Sequence, residues 1–177
     1  MNYHNKKFFI FCTINVYWNK KVLIVMSFEE KIQELGYELQ NPPKPLASYI
    51  PAVRTGNLVF TAGQIPVTGG KLEFSGKVGK DLSLEEGMKA AELCAVNCLN
   101  VIKAEIGSLD KIEKIVKVTV FVNSPEGFTD QPKVANGASD FLVKVFGEKG
   151  KHVRSAVGVN ELPVDSAVEV EMIAEVK

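Results

Sequence analysis

The sequence predicts an α+β domain whose mixed β-sheet carries two long helices on one face. Apolar residues alternate at period two over residues 115–122 and again over 152–176, which indicates strands. Apolar stripes at helical spacing precede each of these segments and indicate helices. The resulting order is strand, strand, helix, strand, helix, strand, strand, and such alternation is typical of a mixed sheet covered by helices.

Composition limits the function classes. The chain of 177 residues has 21 basic and 21 acidic residues, so no long-range field recruits nucleic acid or an anionic membrane, and we expect neither as a partner. Its length suffices to bury one core. The three cysteines, Cys12, Cys94 and Cys98, show no disulfide framework and no zinc-binding pattern. We interpret Cys94 and Cys98 as small buried apolar residues in a reducing compartment, with a ligand or redox role as the alternative.

The first 25 residues differ in composition from the rest of the chain. Two lysines precede an apolar run, as in a signal peptide, but polar residues interrupt the run and no small-residue cleavage site follows. The run is also shorter than the roughly 20 apolar residues that a membrane-spanning helix needs. Met26 is a natural start for a cytoplasmic protein. We therefore interpret residues 1–25 as an extension outside the fold and residues 26–177 as one domain.

Local signals predict the first elements. Ser27 and Glu30 have the spacing of a capping box, and the helix that they begin is expected to end at Leu35, before a glycine. Two strands follow, over residues 49–54 and 58–62, and a Gly-Asn turn joins them.

Two segments are predicted to lack regular structure. Pro42, Pro43 and Pro45 exclude a helix or a central strand from the first. Residues 67–81 are interpreted as a plain surface loop, because their glycines lack the spacing of a phosphate loop. Between the two segments, Gly63 closes the second strand, where a glycine allows a ligand or another backbone to approach closely.

Two long helices are predicted in the second half. Ser83 and Glu86 form another capping box, for a helix that runs to about Gly107. The other helix runs from near Pro132 to Phe146, since proline is tolerated in a first turn. The predicted buried stripes are Leu84, Met88, Ala91, Ala95, Cys98, Leu99 and Ile102 in the first helix and Val134, Ala138, Phe141, Leu142 and Val145 in the second.

Residues 152–176 alternate as two strands joined by a turn. Val153 and the residues that follow it at period two share one face of the first strand, and Arg154 projects from the other face. Glu169 and Glu171 project from the second strand. A guanidinium fixed on a strand suits a small anion. The alternative is an ordinary surface salt bridge between Arg154 and one of the two glutamates.

One face of the predicted sheet is left without a helix. It carries Phe121 and Ile173 beside charged residues, which is too apolar a surface to stay in water. We therefore expect partner subunits to cover it.

A set of short motifs resembles the RidA/YjgF family of enamine/imine deaminases. The motifs are GNLVF at 56–60, AGQIP at 62–66, KVTVFV at 117–122, RSAV at 154–157, LP at 162–163 and VEVE at 168–171. They cover about residues 45–176 in the family's order and spacing, and they are specific as a set. The resemblance implies a chorismate-mutase-like homotrimer with an active site in each cleft between subunits.

The resemblance also implies a role for each site residue. Arg154 grips the substrate carboxylate, which a bidentate guanidinium suits, and Gly63 offers its backbone N–H to the same group. Tyr49 and Asn136 line the pocket. Glu169 helps to position the water that attacks the imine carbon, with release of ammonia. Neither a metal nor a cofactor is implied.

Two positions depart from the family pattern. Many members have a serine before the glycine and a cysteine two residues after the arginine, where this chain has Ala62 and Ala156. Ala156 serves equally well at the substrate if the cysteine contributes only its backbone carbonyl. A trimer that binds small carboxylates without efficient turnover is therefore the alternative function. An endoribonuclease or translation inhibitor, a label attached to some relatives, ranks last because the net charge is zero.

Overall fold

The computed structural model describes residues 26–40 and 48–177. The proposed extension over residues 1–25 and the three prolines at 42, 43 and 45 lie outside the described residues. The helices are α1 (Phe28–Glu34), α2 (Leu84–Ile106) and α3 (Gln131–Phe146). The strands are β1 (Ala52–Thr55), β2 (Leu58–Thr61), β3 (Val67–Thr68), β4 (Lys71–Leu72), β5 (Ile112–Asn123), β6 (Val153–Val159) and β7 (Val168–Val176). None of the described helices combines the length and apolarity that a membrane crossing requires.

Five strands form one sheet in the order β1-β2-β7-β5-β6. β5 and β6 run parallel, whereas every other neighbouring pair is antiparallel. The prediction of a mixed sheet is therefore confirmed. Helix α3 makes the crossover between β5 and β6, which a parallel pair requires. The edges of the sheet are β1 and β6.

Helices α2 and α3 pack on one face of the sheet, as predicted. The capping box of α2 is present, since Ser83 Oγ accepts from the Glu86 N–H and the Glu86 carboxylate accepts from the Ser83 N–H. Gly107 ends that helix with a φ of 88°. Where the two helices touch, a Cβ built on Gly137 lies 1.9 Å from the carbonyl oxygen of Met88. Only glycine allows the helices to approach this closely.

Helix α1 adds a third helix, which packs against α3. Its predicted capping box, Ser27 with Glu30, is present. The Phe28 and Phe146 rings lie 4.5 Å apart between centroids, and Ile32 is fully buried. Burial of a side chain of that size stabilises the fold by about 1.5–3 kcal/mol, so the first described residues of the chain are held firmly on the α3 side.

The prediction that the last two strands form a joined pair is wrong. β6 and β7 lie on opposite sides of β5, where β6 pairs parallel and β7 antiparallel. The apolar face expected of β6 is also solvent-facing, because Val153 is 66% and Val157 45% exposed. Arg154 instead projects toward α3, since its neighbour Val118 belongs to the helix-covered core. Alternation shows that a strand has two faces but does not say which face is buried.

The interpretation of residues 67–81 as a plain loop is also wrong. β3 and β4 form a small hairpin through Gly69 and Gly70, whose φ angles are 58° and 83°. Positive φ at both central residues is the signature of a type I′ turn. Further along, Val78 is fully buried, and its N–H donates to the carbonyl of Asn123 at 2.8 Å. This segment is therefore packed against the end of β5.

The face of the sheet opposite the helices is called the open face. One row across it runs Val53, Phe60, Ile173, Lys117 and Val153, from one sheet edge to the other. Four of these five side chains are apolar, and Val53 is 47% exposed. The open face therefore carries apolar side chains on both sides of Lys117.

Candidate functional site

Arg154 stands on edge strand β6 and reaches onto the first turns of α3. Its Nη1 donates to Asn136 Oδ1 at 2.9 Å and to Ser139 Oγ at 3.0 Å, and its Nη2 donates to the carbonyl oxygen of Pro132 at 3.2 Å. These four residues are called the arginine cluster. All three acceptors are neutral, so the positive charge of the guanidinium is held in place without being compensated.

The salt-bridge alternative for Arg154 is wrong in the part of the chain that the structure describes, where Arg154 has no carboxylate partner. Register explains this. Glu169 pairs with Phe121 on β5, and Phe121 is an odd number of residues from Val118, the neighbour of Arg154. Side chains an odd number of residues apart point to opposite faces. The guanidinium therefore keeps N–H bonds on Nε and Nη2 that no described acceptor uses.

Gly63 and Glu169 are in direct contact. A Cβ built on Gly63 lies 1.6 Å from Glu169 Oε1 and 2.6 Å from its Cδ, so the carboxylate occupies the space that any other residue would fill. Gln64 fixes this contact, because its backbone exchanges two hydrogen bonds of 2.9 Å with Val170, the neighbour of Glu169. Gly63, Glu169 and Glu171 are called the glutamate cluster.

The glutamate cluster has an unusual protonation equilibrium. Burial raises the pKa of the Glu169 carboxyl above its ordinary value, and the negative charge of Glu171 raises it further. Among the described residues, the Glu169 carboxylate forms no ion pair. A half-buried carboxylate whose pKa lies closer to neutrality can position a water molecule and accept its proton.

The structure brings only some of the predicted site residues together. Arg154 contacts Asn136, and Ala156 follows on the same face of β6, partly buried against the core. Gly63 contacts Glu169. Tyr49 stands apart: it precedes β1 in a bend rather than within the strand predicted from residue 49, and its side chain is 58% exposed.

The two clusters do not meet within one chain. Arg154 and Glu169 lie two strands apart, about 10 Å at the usual strand spacing, and point to opposite faces of the sheet. A small ligand held by Arg154 on the helix side cannot reach Glu169 on the open face of the same chain. The arginine cluster and the glutamate cluster are therefore separate within one chain.

Sequence reasoning missed Ser139 and His152. Ser139 lies one helical turn after Asn136 and accepts from Arg154, and His152 Nε2 lies 3.1 Å from Ser139 Oγ. Their spacing from Asn136 and Arg154 could have indicated them, since residues three apart share a helix face and residues two apart share a strand face. His152 precedes Arg154 by two and therefore reaches the same side of the sheet.

A cavity of about 710 Å³ lies elsewhere, beside α2 and the β3–β4 hairpin. Tyr37, Glu92 and Asn97 are among its lining residues, and it includes no predicted site residue. Burial and the neighbouring Glu92 raise the pKa of Tyr37 to about 12. Within the described ranges, no group of three His, Cys, Asp or Glu side chains is placed to hold a metal ion.

Comparison with known proteins gives the family. The sequence model described as YjgF/chorismate mutase-like, putative endoribonuclease, matches residues 29–176. The chain belongs to this family. Protein TCP17 of Trypanosoma cruzi is 41% identical over 145 residues, which are 81% of this chain and 91% of that relative. The resemblance inferred from the motifs is thereby confirmed.

Other members differ in the activity that their names state. A 2-iminobutanoate/2-iminopropanoate deaminase of Dermatophagoides farinae is 30% identical over 135 residues, 76% of this chain and 91% of that one. The crystal structure of a putative endoribonuclease from Shewanella oneidensis has a TM-score of 0.82 and 31% identity, and the match covers 85% of this chain and all of that one. The structure of E. coli TdcF with bound serine has a TM-score of 0.58 and 27% identity, with 79% and 97% covered. Family membership therefore fixes the fold more closely than the activity.

Proposed function

We propose that this protein hydrolyses reactive enamine and imine intermediates of the 2-aminoacrylate type to 2-keto acids and ammonia. The observation that carries the proposal is the uncompensated guanidinium of Arg154, held by three neutral acceptors with N–H bonds to spare. Such a group binds a carboxylate through charge-assisted hydrogen bonds. The deaminase relative and the serine-containing structure support a small carboxylate substrate.

The chemistry follows from the two clusters. Arg154 binds the carboxylate of the imine and fixes the orientation of its C=N bond. Glu169 accepts a proton from a water molecule as the water oxygen bonds to the imine carbon, and it passes that proton to the imine nitrogen as the C=N π bond opens. The resulting aminoalcohol loses ammonia while its hydroxyl becomes the keto group. This hydrolysis needs no change of oxidation state.

The proposed site forms between subunits of a homotrimer. The arginine cluster lies at the β6 edge on the helix side, and the glutamate cluster lies two strands away on the open face. A neighbouring copy can supply the missing half to each. Burial of the open-face row that includes Phe60, Ile173 and Val153 stabilises such an assembly.

The test is release of ammonia from imines generated in situ from an amino acid. Loss of activity in Arg154→Ala is expected, with partial activity in Arg154→Lys, which keeps the charge but not the planar fork. An unchanged rate in Arg154→Ala would contradict the proposed mechanism. If 2-oxobutyrate binds beside Arg154 while no imine is hydrolysed, the protein is a carboxylate-binding trimer, the function that Ala62 and Ala156 left open.

Two further expectations stay predictions. The absence of nucleic acid as a partner follows from the zero net charge. A cytoplasmic location is supported by two buried free cysteines of the described residues, Cys94 and Cys98.

A further inference from the structure

A directed chain of hydrogen bonds runs from a backbone carbonyl to Arg154. The carbonyl oxygen of Gly150 lies 2.7 Å from His152 Nδ1, and a carbonyl only accepts, so Nδ1 carries a proton. In a neutral imidazole the other nitrogen, Nε2, is then an acceptor. It lies 3.1 Å from Ser139 Oγ, so the hydroxyl of Ser139 donates to His152.

The orientation of the Ser139 hydroxyl allows its oxygen to accept a hydrogen bond from Arg154. A hydroxyl that donates to His152 has its lone pairs free, and Arg154 Nη1 donates to Ser139 Oγ at 3.0 Å. Asn136 and Pro132 fix the rest of the guanidinium. Each donor in the chain therefore faces an acceptor only while His152 is neutral.

We infer that Ser139 and His152 are positioning residues, which hold the guanidinium of Arg154 ready for a carboxylate and release it when His152 is protonated. The inference rests on the proposed function for the identity of the ligand. The positioning itself rests on the contacts of Ser139 with both neighbours.

Protonation reverses one bond of the chain. In the imidazolium form both ring nitrogens of His152 are donors, so Ser139 Oγ faces a donor on each side and its own proton has to turn away. Two cations, His152 and Arg154, then share one oxygen atom. The guanidinium therefore moves toward its remaining acceptors or into solvent, which loosens its grip on a ligand.

The pH range follows from the surroundings of His152. Burial and the charge of Arg154 lower its pKa below the ordinary value, so carboxylate affinity is full at neutral pH and falls in mildly acidic solution. The charged groups on the neighbouring elements are Lys133, Asp140 and Lys144 of α3, Lys114 and Lys117 of β5, the Lys149–Glu113 ion pair of 3.5 Å and the Lys151–Glu148 ion pair of 2.7 Å. Of these, Asp140 is exposed and directly follows Ser139. Asp140 is therefore the side chain to use as a control.

The first measurement is the dissociation constant of 2-oxobutyrate for the full chain between about pH 5 and pH 8, where this carboxylate stays ionised. Wild-type affinity is expected to fall as the pH falls. Ser139→Ala and His152→Ala are expected to bind about tenfold more weakly at the upper pH and to lose the pH dependence. His152→Gln restores a neutral acceptor for Ser139, so it should recover part of the affinity without titrating. Asp140→Asn should follow the wild-type profile.

The second measurement does not depend on any ligand. Nitrogen-15 NMR of the His152 ring is expected to show a protonated Nδ1 and an unprotonated Nε2 at neutral pH, and the Arg154 Nε–H signal is expected to broaden in Ser139→Ala. A protonated Nε2, or a wild-type pH profile in His152→Gln, would overturn the inference. If 2-oxobutyrate binds at no pH, the carboxylate function fails, and the NMR result alone decides whether Arg154 is positioned in this way.

Discussion

Gly63→Ala tests the contact between the two residues at the centre of the glutamate cluster. The added methyl group has to occupy a point 1.6 Å from Glu169 Oε1, so the carboxylate must rotate away. Alanine keeps the backbone N–H that is expected to face the substrate, and the φ of residue 63 lies outside the left-handed region. The substitution therefore changes the position of Glu169 with little backbone strain.

The two expected effects differ in size. Displacement of a catalytic group by about 1 Å costs about 100-fold in rate, which corresponds to about 2.7 kcal/mol in transition-state free energy. The free energy of unfolding should change by less than about 1 kcal/mol, because the displaced group is the end of a flexible side chain and alanine restricts the unfolded chain. Thermal unfolding should then shift by at most about 4 °C.

The assay is kcat/KM for ammonia release, with Glu169→Ala and the double variant as matched controls. If the methyl group acts through Glu169, adding Gly63→Ala to Glu169→Ala should cause no further loss. The reasoning would be refuted if the double variant lost activity by the product of the two single losses, or if Gly63→Ala kept full activity. A large fall in unfolding temperature would instead show that Gly63 serves the fold.

Three other substitutions give distinct readouts. Glu171→Gln removes the charge that raises the pKa of Glu169, so the acidic limb of the kcat/KM profile should move to lower pH, because Glu169 stays ionised further into acid. Asn136→Asp puts a carboxylate about 2.9 Å from Arg154 Nη1 and should raise the KM about tenfold by competing with the substrate. Gly137→Ala gains about 1 kcal/mol of helix propensity, yet its Cβ falls 1.9 Å from a carbonyl of α2. Urea unfolding should therefore show a net loss of about 1–3 kcal/mol.

The helices were predictable because their signals are local. Ser83 and Glu86 are three residues apart and satisfy each other's backbone donors wherever the helix packs. Gly107 ends the same helix through its own φ of 88°. Capping chemistry of this kind is complete within a few residues, so the limits of α2 could be predicted from the sequence.

Strand pairing was not predictable from the same kind of signal. Val153 and Val157 alternate as core residues do, yet they lie on the open face because their partners on β5, Lys117 and Phe121, also lie there. Which face of β6 is buried depends on where α3 packs, and the alternation within β6 does not specify this. A surface that a partner covers has the same apolar pattern as a core, and one chain's sequence does not separate the two.

The candidate site was also only partly predictable from the sequence. The family resemblance implied Arg154 and Asn136, and the structure places Arg154 Nη1 2.9 Å from Asn136 Oδ1. The resemblance did not point to Ser139 or His152, because a lone serine and a lone histidine fit ordinary surface positions. Their roles depend on a crossover that brings α3 over β6, and only the folded chain shows that approach.

Complementation between inactive variants measures whether the arginine cluster of one chain meets the glutamate cluster of another. Arg154→Ala and Glu169→Ala would be produced separately, unfolded together in equal amounts, refolded, and assayed for ammonia release after mass spectrometry confirms mixed trimers. If Arg154 of one chain works with Glu169 of its neighbour, about a quarter of the sites in randomly mixed trimers regain both groups. Recovery of about a quarter of wild-type activity is expected. Mixed trimers with no activity, or an active wild-type monomer, would contradict a site shared between subunits.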